Sequence, residues 1–190
     1  MILRRLIVGI SGSSAPIYGV RLLEILRATP GIETHLVLTR AAETTLRLEL
    51  PEWTPDRVRA LAHANHAPEN LAAPIASGSF LTLGMVVAPC SMKTLAGVAT
   101  GAGGDLLTRA ADVVLKERRR LILVPRETPL HLGHLRNMVA VTEAGGIILP
   151  PIPAFYHQPK GVGDLVDHTV GKVLDLLGIE HDLFHRWAGE

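Results

Sequence analysis

Short apolar runs alternate along the chain with longer stretches in which apolar residues return every three or four positions. The first run, Arg4–Ile10, is continuous rather than alternating, the pattern of a strand covered on both faces. From Ala15 to Ala28, Ile17, Val20, Leu23 and Leu26 recur at helical spacing. Glu33–Thr39 reads as the second strand and Ala41–Leu50 as the helix after it. Thr54 as cap and Pro55 at the first helical position open a short helix over Pro55–His63. Asn65–Ser79, with Pro68, Pro74 and Gly78, shows no period and reads as loop. Beyond it come a strand at Met85–Cys90, a helix at Ser91–Gly101 and a strongly amphipathic helix at Asp105–Arg119. Arg120–Arg126 is a strand, Leu132–Ala144 a helix closed by Gly145, Gly146–Pro150 a strand, and Gly163–Leu177 the last helix. Strand–helix alternation without a hairpin signal calls for βαβ crossovers. The expected fold is therefore α/β: one domain over residues 1–190, with a doubly wound, mainly parallel sheet in three α/β/α layers.

Composition sharpens this. Hydrophobic residues make up 47% of the chain and aromatics only 4%, so the core must be aliphatic, as in sheets covered on both faces. The net charge of +1 argues against a non-specific binder of nucleic acid or acidic membranes. Gly9 interrupts the opening apolar run, which disfavours an export signal, and no apolar segment approaches bilayer length. A single cysteine, Cys90, can form neither an intrachain disulfide nor a thiolate cage, which suits a reducing, cytoplasmic setting.

Ligands of such sheets bind beyond the carboxyl ends of the strands. The first strand leads into GISGSSAPIYG, which is neither a dinucleotide fingerprint nor a P-loop, although glycine and serines opening a helix suit an anion. Plain N-capping by Ser13 or Ser14 explains them equally well. Thr39 ends the second strand, Cys90-Ser91-Met92-Lys93-Thr94 follows the fourth, Arg126-Glu127 the fifth and PPIPAFYHQP the sixth. Hydroxyl and basic groups recurring at strand ends are what a phosphate-bearing cofactor requires. Arg109 and Lys116, two turns apart, share a face of the long helix, and Asp105/Arg109 and Asp112/Lys116 have the spacing of solvated ion pairs. His63/His66, His131/His134 and His181/His185 have metal-ligand spacing but no evident third ligand, so no metal is expected. Cys90 is expected to fill space at a turn set by Pro89 rather than to act as a nucleophile.

Several segments together resemble the flavin prenyltransferase family, whose products serve aromatic acid decarboxylases. They are GISGSSAPIYGVRLL, APCSMKTLAGVATG, RAADVVLKERRRLILVPRETPL, HLRNM, PPIPAFYHQP and the terminal VLDLLGIEHDLFHRW, in that order over nearly the whole chain. The resemblance implies a Rossmann-like flavoprotein that joins a dimethylallyl group to reduced FMN without a metal. Bonds form at the central-ring nitrogen and a neighbouring carbon, and a fourth ring closes. The implied donor is dimethylallyl monophosphate, or the diphosphate in some members. The prenylated FMN then goes to a UbiD-type decarboxylase, and the family commonly forms dodecamers.

Residue by residue, the resemblance implies that Gly12, Ser13, Ser14, Thr39, Ser91, Met92, Lys93, Thr94 and Arg126 hold FMN. Tyr156, Lys172 and Lys116 would take the prenyl phosphate, with Arg109 nearby. Glu127 and Ser14 would handle protons and the departing phosphate, and Glu49 and Trp187 would line the site across a subunit contact. Ser13 and Ala15 stand where the family usually has Ala and Gly, Gly104-Asp105 where many members have Asp-Asn, and Lys172 where Arg is more frequent. Two other readings share the fold: a flavin-dependent cysteine decarboxylase and a non-catalytic FMN-binding subunit. APCSMKT lacks the asparagine of the first group's loop, and the Glu127/Lys116/Tyr156 set argues against the second.

Overall fold

A computed structural model of the protein describes residues 4–187 and Gly189. Six strands form one sheet: β1 (Arg4–Ile10), β2 (Ile32–Leu38), β3 (Ala64–His66), β4 (Gly84–Cys90), β5 (Arg120–Pro125) and β6 (Ile147–Ile148). Their order is β3-β2-β1-β4-β5-β6, and every pairing is parallel. The helices are α1 (Ile17–Ala28), α2 (Arg40–Glu49), α3 (Pro55–Arg59), α4 (Met92–Thr100), α5 (Leu106–Lys116), α6 (Leu132–Glu143) and α7 (Val162–Leu177).

Successive side chains of a strand point to opposite faces, so each continuous apolar run feeds two cores. On one face Leu6, Val8, Ile10 and Val86 pack with Val20 and Leu23 of α1 and Val170 and Leu174 of α7. On the other, Ile7, Met85, Val87 and Leu121 pack with Leu95 of α4 and Leu107, Ala110 and Val114 of α5. Both layers are aliphatic, as the low aromatic content requires.

Three expectations need correction. The helix expected over Pro55–His63 ends at Arg59. The segment from Asn65 onward is not wholly irregular. Ala64–His66 adds a short edge strand to β2, and Pro74–Ala76 forms a 3₁₀ turn. Three residues are too few for a period to show. The last strand is also shorter than Gly146–Pro150, because Pro150 and Pro151 cannot donate to a ladder.

The chain runs from β1 to β2 on one side and later to β4 on the other, so the carboxyl ends of β1 and β4 flank a topological switch point. Pairing of β4 with β5 becomes irregular between Val87 and Cys90, where Pro89 removes a ladder donor. The residues after β1, β4 and β5 converge there.

Candidate active site

The centre of this region is Ser11, which is 1% exposed. Its hydroxyl donates to the Pro89 carbonyl at 3.0 Å and accepts the Ser91 backbone N–H at 2.8 Å. One side chain thus ties the end of β1 to the loop after β4. Two residues on, the Ser13 hydroxyl donates to the Arg126 carbonyl at 2.8 Å and joins the end of β5 to the same loop. Ser13 is therefore occupied with the scaffold, and of the two serines the more open Ser14 lines the cavity beside it. A Cβ on Gly12 would run into Ala41, so glycine here lets the loop lie directly on α2.

Ala15 has φ +67°, a left-handed conformation that costs alanine about 1 kcal/mol. Its backbone N–H donates to Glu49 Oε2 at 2.7 Å. Glu49 thus meets the first loop within its own chain, and the bond helps to hold a backbone that favours glycine. Thr39 caps α2 by accepting from the Ala42 N–H.

Ser91 caps α4: its hydroxyl accepts the Thr94 N–H at 3.2 Å and donates to Thr94 Oγ1 at 3.0 Å. The amides of Met92 and Lys93 have no intrahelical acceptor and form an opening suited to an anion. The Lys93 side chain is exposed, while Thr94 is buried. Arg126 follows β5, and its Nε is buried without a hydrogen-bond partner. A guanidinium N–H left so at a strand end is chemically suited to an acceptor from a ligand.

Ser14, Arg126 and Glu127 line one cavity of about 360 Å³ together with Tyr18, Pro125 and Ile152. Burial raises the Tyr18 phenol pKa, opposed by a hydrogen bond with Thr169 on α7. Glu127 is exposed, and its Oε1 accepts the Thr128 N–H at 3.0 Å. Cys90 is fully buried, and burial pushes its thiol well above the usual range. It fills space, as expected.

The four residues anticipated around the prenyl phosphate are not assembled within one chain. Tyr156 and Lys172 belong to the α7 side: Tyr156 bonds to His168 of α7 at 2.9 Å, and Lys172 pairs with Asp175 at 3.5 Å. Arg109 and Lys116 ride on α5, which packs on the opposite face of the sheet. Lys116 also ends α5 just before β5 begins, whereas Arg126 and Glu127 follow the end of β5, a strand length of about 20 Å away.

The two expected ion pairs on α5 do not form. Asp105 sits outside the helix as its cap, with Oδ1 accepting the Thr108 N–H at 2.9 Å. Arg109 pairs with Asp112 at 2.9 Å instead, and Lys116 pairs with Glu117. Trp187 is exposed on the tail beside α7 and does not line the cavity of its own chain. Among the described residues no histidine, cysteine or carboxylate group forms a metal cluster.

Ser11 and Tyr18 stand at the site in addition to the residues that the sequence indicates. Ser11 had a visible signal, a hydroxyl at the carboxyl end of a buried strand. Tyr18 is hidden as one more apolar position of α1.

The sequence profile of the Flavoprotein family matches residues 3–174. Over 189 residues the chain is 56% identical to the flavin prenyltransferase UbiX of Escherichia coli (strain K12), covering 98% of this chain and 100% of that one. A dodecameric FMN-dependent UbiX-like decarboxylase from Escherichia coli O157:H7 superposes with TM-score 0.95 at 52% identity, covering 97% and 100% of the two chains. AnUbiX, solved with FMN and dimethylallyl pyrophosphate, superposes with TM-score 0.96 at 48% identity, covering 99% of each chain.

Proposed function

The chain belongs to the flavin prenyltransferase family, and from that premise we propose that it transfers a dimethylallyl group to reduced FMN. The donor is dimethylallyl monophosphate or the diphosphate, and the prenylated FMN serves a UbiD-type decarboxylase. One observation carries the reading furthest. Ser14, Glu127 and an Arg126 whose buried Nε has no partner share one cavity where the ends of β1 and β5 converge.

Gly12 to Ser14, Thr39, Ser91 to Thr94 and Arg126 hold FMN. The open amides of Met92 and Lys93 and the Arg126 guanidinium favour its anionic part. Reduced flavin supplies the nucleophilic ring positions. Glu127 and Ser14 move protons between those positions and the departing phosphate. Pro125, Pro150, Pro151 and Ile152 give the cavity apolar walls that keep water from an allylic cation.

Ionising an allylic phosphate requires cations and donors around the leaving group. Tyr156 and Lys172 supply one side. Arg109 and Lys116 lie across the sheet from them, so we place them in the site of a neighbouring copy within a dodecamer like that of the Escherichia coli O157:H7 relative. Trp187 lines the site across the same kind of contact, whereas Glu49 braces the first loop of its own chain. No helix among the described residues is long and apolar enough to cross a membrane, and the lone buried thiol suits the cytoplasm.

The test is anaerobic incubation with reduced FMN and dimethylallyl monophosphate, with the diphosphate in a parallel arm. Mass spectrometry should detect prenylated flavin in at least one arm. FMN bound with no prenylated product in either arm overturns the reading. Glu127→Gln should lower turnover by about 100-fold with FMN still bound, and unchanged turnover removes Glu127 from proton transfer.

A further inference from the structure

His168, on the second turn of α7, is 8% exposed, and its Nε2 lies 2.9 Å from the Tyr156 hydroxyl. The ring is held on several sides. His157 stacks on it with centroids 4.8 Å apart and planes 6° from parallel. Phe184, from the tail, packs against it at 4.7 Å. The tail can come this close because Gly171, one turn along α7, has no side chain, and a Cβ there would collide with Phe184 and His181. Tyr156 itself sits in a turn closed by the Gln158 N–H to the Phe155 carbonyl and is 48% exposed, so little besides this bond fixes its hydroxyl.

A phenol carries one proton and can spend it once. If Nε2 accepts, that proton is turned toward the imidazole and only oxygen lone pairs remain for a ligand. That is the wrong polarity for a phosphate. If Nε2 carries the hydrogen and donates, the phenolic proton is free for a phosphate oxygen. The surroundings favour a neutral ring: burial first, then His157 and Lys172, lower the His168 pKa, and Asp175 opposes them. A neutral imidazole still has one N–H to give.

We propose that His168 is a positioning residue that donates its Nε2–H to the Tyr156 oxygen, fixing the phenol and directing its proton to the prenyl phosphate. The inference rests on the reading above that Tyr156 takes that phosphate. It adds a residue that no segment of the resemblance singles out, and it explains how a half-exposed tyrosine can hold one donor direction.

The test uses protein loaded with oxidised FMN, so that binding of dimethylallyl monophosphate is measured by isothermal titration without turnover. His168→Met should weaken that binding by about fivefold to tenfold, the effect of one hydrogen bond. FMN retention, followed by quenching of flavin fluorescence, should be unchanged. His168→Gln places an amide N–H near the position of Nε2 and should recover affinity to within about twofold. In a Tyr156→Phe background, His168→Met should have no further effect.

Equal weakening in the tyrosine and phenylalanine backgrounds, or no weakening at all, overturns the proposal. So does loss of FMN together with loss of the phosphate ligand. Wild-type protein that keeps FMN but does not bind dimethylallyl monophosphate overturns the functional reading and, with it, this inference.

Discussion

Ser11→Ala tests the scaffold of the site more directly than any change to a ligand-facing residue. The Ser11 hydroxyl makes two buried hydrogen bonds, to the Pro89 carbonyl and from the Ser91 N–H. The two losses are unequal. The Pro89 carbonyl keeps a second donor, the Ser11 backbone N–H at 3.2 Å, whereas the Ser91 N–H loses the one acceptor it has. A buried donor without an acceptor costs about 1–3 kcal/mol, and because Ser91 is only partly buried, about 2 kcal/mol is expected. For a chain of this length that corresponds to a fall in Tm of about 5 °C at fixed protein concentration.

The freed amide lies at the cap of α4, so FMN affinity should fall along with stability. If half the lost free energy appears in binding, Kd rises about fivefold. Thermal unfolding and titration of flavin fluorescence measure the two effects. Ser77→Ala, in an exposed loop, is the control and should change stability by less than about 0.5 kcal/mol. If Ser11→Ala matches that control in both assays, the argument that Ser11 joins the two loops is refuted.

Co-expression of Lys116→Ala and Glu127→Gln subunits should restore about a quarter of wild-type activity, since sites with both residues intact form only across mixed contacts. No recovery in purified mixed oligomers would place both residues in one chain's site. Cys90→Ala should cost about 1 kcal/mol of stability for the space left in the core, yet keep turnover per folded molecule within about twofold. Loss of turnover with FMN bound would make the thiol chemical. The Arg186 guanidinium, assisted by His181, holds the Asp175 carboxyl down to about 2. A folded-state value below the unfolded one near 3.9 means that this stabilisation is full above pH 5 and lost as pH falls toward 2. Asp175→Asn should therefore lower the urea midpoint at pH 7, with a gap to wild type that narrows between pH 4 and pH 2. A gap that stays constant over that interval would contradict the ion-pair argument.

The elements could be read from the chain because their causes are local. A buried strand needs a continuous apolar run, a helix needs apolar residues one turn apart, and a cap such as Thr54 acts within three residues. Parallel crossovers followed from the same alternation, and with them the rule that ligands lie beyond the strands' carboxyl ends. The strand ends at which Ser14, Thr39, Ser91 and Arg126 stand were thus legible.

Contacts within the site were not legible, because they join residues that only the packed sheet brings together. Ser11 reaches Ser91 across 80 positions, and Ser13 reaches the Arg126 carbonyl across 113. Nothing in either segment alone shows which hydroxyl is spent on the scaffold and which stays free for a ligand. The same reason governs the cations. Helical spacing put Arg109 and Lys116 on one face of α5, but a covered sheet has two sides, and the crossovers decide which side each helix takes. Packing set α5 on one face and α7 on the other, so charges that the resemblance gathered around one phosphate fall into two groups within the chain.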